Sequence, residues 1–182
     1  MDADKLGWAS TWTAAMLTDK STSCGTAILW RKGLPIWAPA TIQNGLVRAP
    51  GRSTAATLQW PKCKPIELAS LYLEVGGKLS TGNLQILADV SLYLKEKGNP
   101  FWLAGDWQVD SVWLQEVGWL KNLNAHVRAG NPAVGSCTAM DPASNIDYHV
   151  IHKSLQHFVA AAEIDLGCDL SPHRPVWGMA AA

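Results

Sequence analysis

Three stretches carry the residues best suited to chemistry. The first is Phe101-Trp102-Leu103-Ala104-Gly105-Asp106, an apolar run that ends abruptly in glycine and an acid. The second is Ser144-Asn145-Ile146-Asp147-Tyr148-His149, and the third is Ser171-Pro172-His173-Arg174-Pro175-Val176. An acid at the C-terminal end of a buried strand sits where open sheets place ligands and catalytic groups. Carboxylates supply hard oxygen ligands of the kind Mg²⁺ takes. A histidine beside an aspartate supplies proton transfer, the acid fixing the ring's tautomer. Taken singly, each stretch has a plain reading, since Asp after Gly is above all a turn residue.

Their order gives them weight. A strand ending in Gly105-Asp106, then Ile146-Asp147-Tyr148, then Ser171-x-His173-Arg174-Pro175-Val176 resembles the endonuclease/exonuclease/phosphatase superfamily, the DNase-I-like phosphodiesterases. The likeness runs from Gly7 to Met179, as the central and C-terminal portion of a longer domain. It implies an α/β (α+β) fold, a two-sheet β-sandwich flanked by helices and truncated at its N-terminus, with residues 1–182 as a single partial domain. It also implies Mg²⁺-dependent phosphodiester hydrolysis. In that scheme Asp106 orients the attacking water and holds the metal, while Asp147 pairs with His173 to complete the site. Gln108 and Tyr72, the latter in Ser70-Leu71-Tyr72-Leu73, contact the phosphate. Asp106, Asp147 and His173 are expected in one cleft, at the C-terminal ends of neighbouring strands.

Three departures accompany the matches. The family's metal-binding Glu lies well upstream of a strand like Gly25-Thr26-Ala27-Ile28-Leu29, and this motif is missing here. Gln108 stands where the family has Asn, and one more methylene moves the amide by about 1 Å, a costly displacement at a reacting centre. Pro172 stands where an Asp precedes the histidine, removing a carboxylate and a backbone donor. Glu74, two residues beyond Tyr72, is the candidate substitute for the missing Glu if the strand continues. The resulting reading is a metal-dependent phosphodiester or phosphoester hydrolase-type domain, nuclease-like, weakened or inactive in this chain. The alternative is a non-catalytic descendant acting as a binding or scaffold module. A third reading is an unrelated α/β module in which the motifs coincide by chance. The expected partner is nucleic acid or another phosphodiester, inositol phosphates and lipid head groups included.

Composition narrows this only in part. The 182 residues carry 15 basic and 15 acidic side chains, so no net field points to nucleic acid. The cysteines show no zinc spacing and read as reduced thiols of an intracellular protein. Neither a signal-peptide pattern nor a membrane-length apolar run occurs, and no membrane partner is expected. Ten tryptophans against two phenylalanines are assigned mainly to the core.

The elements that must position these residues follow from periodicity. Gly7 to Ala15 is either a strand or a loop, and Cys24 to Lys32 reads as a strand. Thr54–Trp60 and Ile66–Leu73 read as a hairpin. Leu84, Leu87, Val90 (or Ser91) and Leu94 form the stripe of a helix over 83–97, capped by Thr81 or Asn83 and stopped by Gly98. Strand, helix, strand makes 66–73 and 101–106 parallel neighbours. Asp110 or Ser111 caps a second helix reaching Leu123, with Trp113, Val117 and Leu120 on one face. Residues 124–143 read as a long loop and Ile146–Ile151 as a strand. Phe158–Leu166 is assigned to a strand over a helix. Arg174–Met179 is placed as the last strand, beside 146–151. His149 shares a face with Asp147, which suits strand packing better than a metal pair, and His126, His152 and His157 receive no role.

Overall fold

The computed structural model describes residues 4–17, 22–38, 51–76, 80–139, 143–160 and 162–180. Among the described residues the series of strands and α-helices begins with β1 (Trp8–Thr13), β2 (Met16–Leu17), β3 (Thr22–Ser23), β4 (Thr26–Arg31), β5 (Ile36–Trp37) and β6 (Ser53–Leu58). It continues with β7 (Ile66–Tyr72), α1 (Thr81–Lys97), β8 (Phe101–Asp106), α2 (Ser111–Glu116) and α3 (Trp119–Asn122). β9 (Ala125–Arg128), β10 (Asp147–His152), β11 (Glu163–Ile164) and β12 (Val176–Trp177) complete it.

Six strands form a central mixed sheet in the order β5-β6-β7-β8-β10-β9. β6 and β7 are the expected hairpin. β7 and β8 run parallel, as a crossover through α1 requires. Every other pairing in this sheet is antiparallel. One face is covered by helices: Ala69, Leu71, Phe101, Leu103, Tyr148 and Val150 pack with Ile86, Leu87, Val90 and Leu94 of α1 and with Leu114, Trp119 and Leu120 of α2 and α3. Strand alternation turns Leu68, Trp102 and Ile151 to the other face, where they meet Leu155 and Val159. The two-stranded β1–β4 ladder lies on this second face, against β6 and β7. It is tied there by the hydroxyls of Thr13, Thr26 and Thr54, with Thr26 and Thr54 2.7 Å apart.

Several elements differ from expectation for readable reasons. α1 is capped by Ser80, whose hydroxyl accepts the Asn83 N–H at 3.2 Å, not by Thr81 or Asn83. Asn83 is instead fully buried, exchanging hydrogen bonds with the Glu74 backbone, so the inward face passes through Asn83 and leaves Leu84 exposed. The second helix is two short ones, broken where Gly118 takes a left-handed φ of 71°. That break turns Leu114, Trp119 and Leu120 inward and leaves Val117 exposed.

Residues 124–143 hold a strand, β9, on the edge of the central sheet. Four residues between Asn124 and Ala129 give little period, and only β10 supplies the partner. In 158–166 the only named element among the described residues is the short strand β11. β12 pairs with β11 rather than with β10, so the last strand does not enter the central sheet. The tryptophans divide: Trp107 and Trp119 are buried, whereas Trp12, Trp37, Trp60 and Trp177 are more than half exposed. Among the described residues, no helix is long and apolar enough to cross a membrane. All four cysteines are free thiols.

Candidate active site

Asp106 ends β8 and Asp147 opens β10, and the antiparallel register sets them directly opposite each other. The two acids therefore meet at the C-terminal end of β8 and the N-terminal end of β10, not at two C-terminal ends. Phe101, Leu103, Tyr148 and Val150 fill the helical side, so alternation sends both carboxylates to the opposite face. Gly105 permits this close weave, because a Cβ there would run into the Leu71 carbonyl of the neighbouring strand.

The chain just past Asp106 is fastened to β10. The Trp107 N–H donates to Ile146 O at 2.7 Å, and its indole N–H donates to Tyr148 O at 2.9 Å. The Trp107 and Tyr148 rings stack at 5.2 Å, and the Tyr148 hydroxyl donates to Val109 O at 3.1 Å. Burial of these two aromatics fixes the backbone on either side of the acid pair. The places of the two rings immediately after Asp106 and Asp147 are the sequence signal for this role.

His173 arrives on the C-terminal segment that crosses the same face. Its Nδ1–H donates to both Asp147 carboxylate oxygens, at 3.1 and 3.0 Å. Its Nε2 lies 3.8 Å from Asp106 Oδ2 and 3.9 Å from Cys137 Sγ. The three residues expected to converge are thus together, around a cavity of about 380 Å³ also lined by His149, Arg174 and Val176.

Burial, and next the like charge of Asp147, push the Asp106 carboxyl above the usual carboxylate range. His173 and two hydrogen bonds from Gln108 oppose this. Those bonds run from the Gln108 backbone N–H to Oδ1 at 3.2 Å and from its side-chain amide to Oδ2 at 2.6 Å. Gln108 is thus folded onto Asp106 rather than held out toward a phosphate. Tyr72 pairs in register with Asp106 across β7 and β8, with the Arg52 guanidinium 5.0 Å from its ring. Its phenol is pushed above its ordinary value by burial first and Asp106 second.

Glu74 is not part of the cluster. β7 ends at Tyr72, and the Glu74 carboxylate turns to the start of α1, where it accepts from the Ser80 hydroxyl at 3.4 Å. Pro172 lends its carbonyl to the Thr138 N–H and hydroxyl, at 2.9 and 3.1 Å. His149 has both ring nitrogens engaged, with Nδ1 accepting from the Trp102 indole at 3.1 Å and Nε2 donating to Val176 O at 3.2 Å. Its place is structural, as strand packing suggested.

Asp106, Asp147 and His173 each offer a ligand atom, and these lie within 4.8 Å of one another. The donor set fits a hard divalent cation through its carboxylate oxygens. Two acids in a partly buried site, one with raised proton affinity, leave negative charge that such an ion offsets.

No family model matches the sequence, and no curated protein sequence matches it. Solved structures do match, over nearly the whole chain. The endonuclease domain of TRAS1, a telomere-specific non-LTR retrotransposon, superposes with a TM-score of 0.72 at 15% identity, covering 97% of this chain and 81% of that one. The 3'-5' exonuclease NExo from Neisseria meningitidis gives 0.69 at 16% identity, covering 98% of this chain and 81% of that one. The AP endonuclease LMAP from Leishmania major gives 0.69 at 15% identity, covering 97% of this chain and 71% of that one. Likeness at these identities speaks to architecture: the chain has the DNase-I-like fold.

Proposed function

We propose that this chain is a nuclease-like, Mg²⁺-dependent phosphodiester hydrolase domain, acting through Asp106, Asp147 and His173. The observation that carries the reading is the relay across the two strands: His173 Nδ1 on Asp147, and Nε2 turned toward Asp106 at 3.8 Å. Asp147 holds the ring with the proton on Nδ1, which leaves Nε2 facing the cavity beside Asp106. Asp106, raised in proton affinity, orients a water and takes its proton as the water oxygen bonds to phosphorus; the P–O bond to the leaving oxygen breaks, and that oxygen takes up a proton from solvent. His173 Nε2, whose lone pair faces the cavity in that tautomer, takes part in the proton transfer as an acceptor. Asp106 and Asp147 would hold a Mg²⁺ ion through their carboxylate oxygens, and such an ion would supply charge neutralisation at the phosphate. Nucleic acid is the proposed substrate class, supported by the similar structures, which are nucleases.

The rate is expected to be modest. Gln108 spends its amide on Asp106, Glu74 lies away from the cluster, and Pro172 replaces a carboxylate. Those same features favour the second reading, a non-catalytic descendant that keeps the groove for binding. A Mg²⁺-dependent cleavage assay separates the two, using plasmid DNA and an aryl phosphodiester as substrates. Cleavage by the wild type and none by Asp106→Ala supports the hydrolase. No turnover from folded wild type, with DNA still bound, supports the binding module.

A further inference from the structure

Asp147 and His173 belong to segments that are not neighbouring strands of one sheet, yet their hydrogen bond is the centre of the site. What joins the two segments is Val134 to Thr138, a stretch with no regular structure. Ser136 lies at its middle with no solvent exposure. Its hydroxyl accepts the Asp147 N–H at 2.9 Å and the Ile146 N–H at 3.2 Å, fixing the start of β10. Its carbonyl accepts the Arg174 N–H at 2.7 Å, fixing the residue next to His173. One residue thus touches the backbone on both sides of the Asp147–His173 pair.

Its neighbours extend the same clasp. Cys137 forms β-bridges to Ser144 and to His173, and its thiol rests against the imidazole at 3.9 Å. Thr138 donates twice to the Pro172 carbonyl, at 2.9 Å from N–H and 3.1 Å from the hydroxyl. Arg174 returns the contact, its guanidinium donating to Val134 O at 3.2 Å. A buried hydroxyl with two backbone donors aimed at it has no spare freedom, so the hydroxyl sets where both segments lie.

We infer that Ser136 is a positioning residue: it sets the Asp147–His173 geometry from outside the cavity, touching neither substrate nor reacting atoms. Without its hydroxyl, the N–H groups of Ile146 and Asp147 lose their acceptor and β10 shifts to find another. The Nδ1–H of His173 then no longer meets Asp147 squarely. The catalytic consequence rests on the hydrolase reading; the geometric claim does not.

Two readouts keep these apart. In ¹⁵N-labelled wild type, the His173 Nδ1–H bound to Asp147 gives a low-field proton resonance by NMR, absent in Asp147→Ala. Ser136→Ala is expected to fold, to lose that resonance, and to lower kcat by about 10- to 100-fold with KM changed little. Ser136→Thr, which restores the hydroxyl, is expected to recover the resonance. A Ser136→Ala protein that keeps the resonance overturns the inference, as does a wild type that never shows it. If the wild type hydrolyses nothing, the hydrolase reading fails and the resonance alone decides the matter. If Ser136→Ala does not fold, Ser136→Cys decides: its thiol is a weaker acceptor at the same place, and a weakened resonance supports the inference while an unchanged one refutes it.

Discussion

The two ends of the β7–β8 pair each carry an acid withdrawn from water, and the sequence treats them oppositely. At one end Glu67, 1% exposed, is closed in by donors. Its Oε2 accepts from the hydroxyls of Thr57 and Tyr93 at 3.1 and 2.9 Å, and its Oε1 accepts from Asn99 at 2.8 Å. At the other end Asp106 has one partner residue donating to it, Gln108, and faces Asp147 across the ladder. Glu67 needs nothing further. Asp106 is held next to a like charge, beside a cavity, with its proton affinity raised. A buried acid ringed by donors is architecture, whereas one left short of them beside another acid is poised for a cation or a proton.

Substitutions at the two ends should therefore produce opposite phenotypes. The largest effect belongs to the open end. Asp147→Asn and His173→Ala should each lower Mg²⁺-dependent cleavage on the order of 10²–10⁴-fold, the usual scale for a positioned acid–base group. Steady-state rates on plasmid DNA check this, and a loss under threefold would place the pair outside the chemistry.

Next comes the closed end. Glu67→Leu leaves the Thr57, Tyr93 and Asn99 donors without their acceptor, which costs about 2–4 kcal/mol of stability. Urea unfolding measures the loss, and cleavage per folded molecule should stay at the wild-type level.

Asp106→Asn should do the reverse. Ionising a carboxyl whose folded-state proton affinity exceeds its unfolded value destabilises the native protein. The penalty is absent below the unfolded value, about pH 4, and grows as pH rises toward the folded one. Without metal, Asp106→Asn should thus be more stable than wild type at pH 7 and level with it near pH 4, while failing to cleave. Equal stability at neutral pH would mean that the acid pair carries no strain.

The smallest effect concerns His149, whose ring burial holds below its ordinary proton affinity. Protonation of Nδ1 would also break its bond from Trp102. The unfolded chain takes up the proton first, so this contribution is intact above about pH 6.5 and is lost as pH falls below it. His149→Gln should flatten the acid side of the stability curve slightly, as unfolding midpoints between pH 5 and 7 would reveal.

The same contrast between closed and open environments governs what was legible in the sequence. The β7–α1–β8 unit was readable because local signals agree there: an apolar stripe, lysines in the last turn, and Gly98 as the stop. The convergence of Asp106, Asp147 and His173 was readable through the order of short motifs, each too weak alone. β9 was not, since an edge strand of Ala, His, Val and Arg is made by its partner rather than by its own pattern. The residues of β12 suit any strand, and nothing local encodes its pairing with β11 rather than β10. The Gly118 break was overlooked because an isolated glycine is tolerated in a helical pattern. Ser136 is invisible for a different reason, since its role lies in contacts to residues 8–11 and 38 positions away. Glu74 failed as a substitute ligand because β7 stops two residues short of it.

The most direct measurement sets the two ends side by side: Mg²⁺-dependent plasmid cleavage per folded molecule for wild type, Asp106→Asn and Glu67→Leu. Cleavage abolished in Asp106→Asn and kept in Glu67→Leu is the predicted result. Equal loss in both variants, or no cleavage by the folded wild type, would contradict the assignment of the open end as a working hydrolytic site.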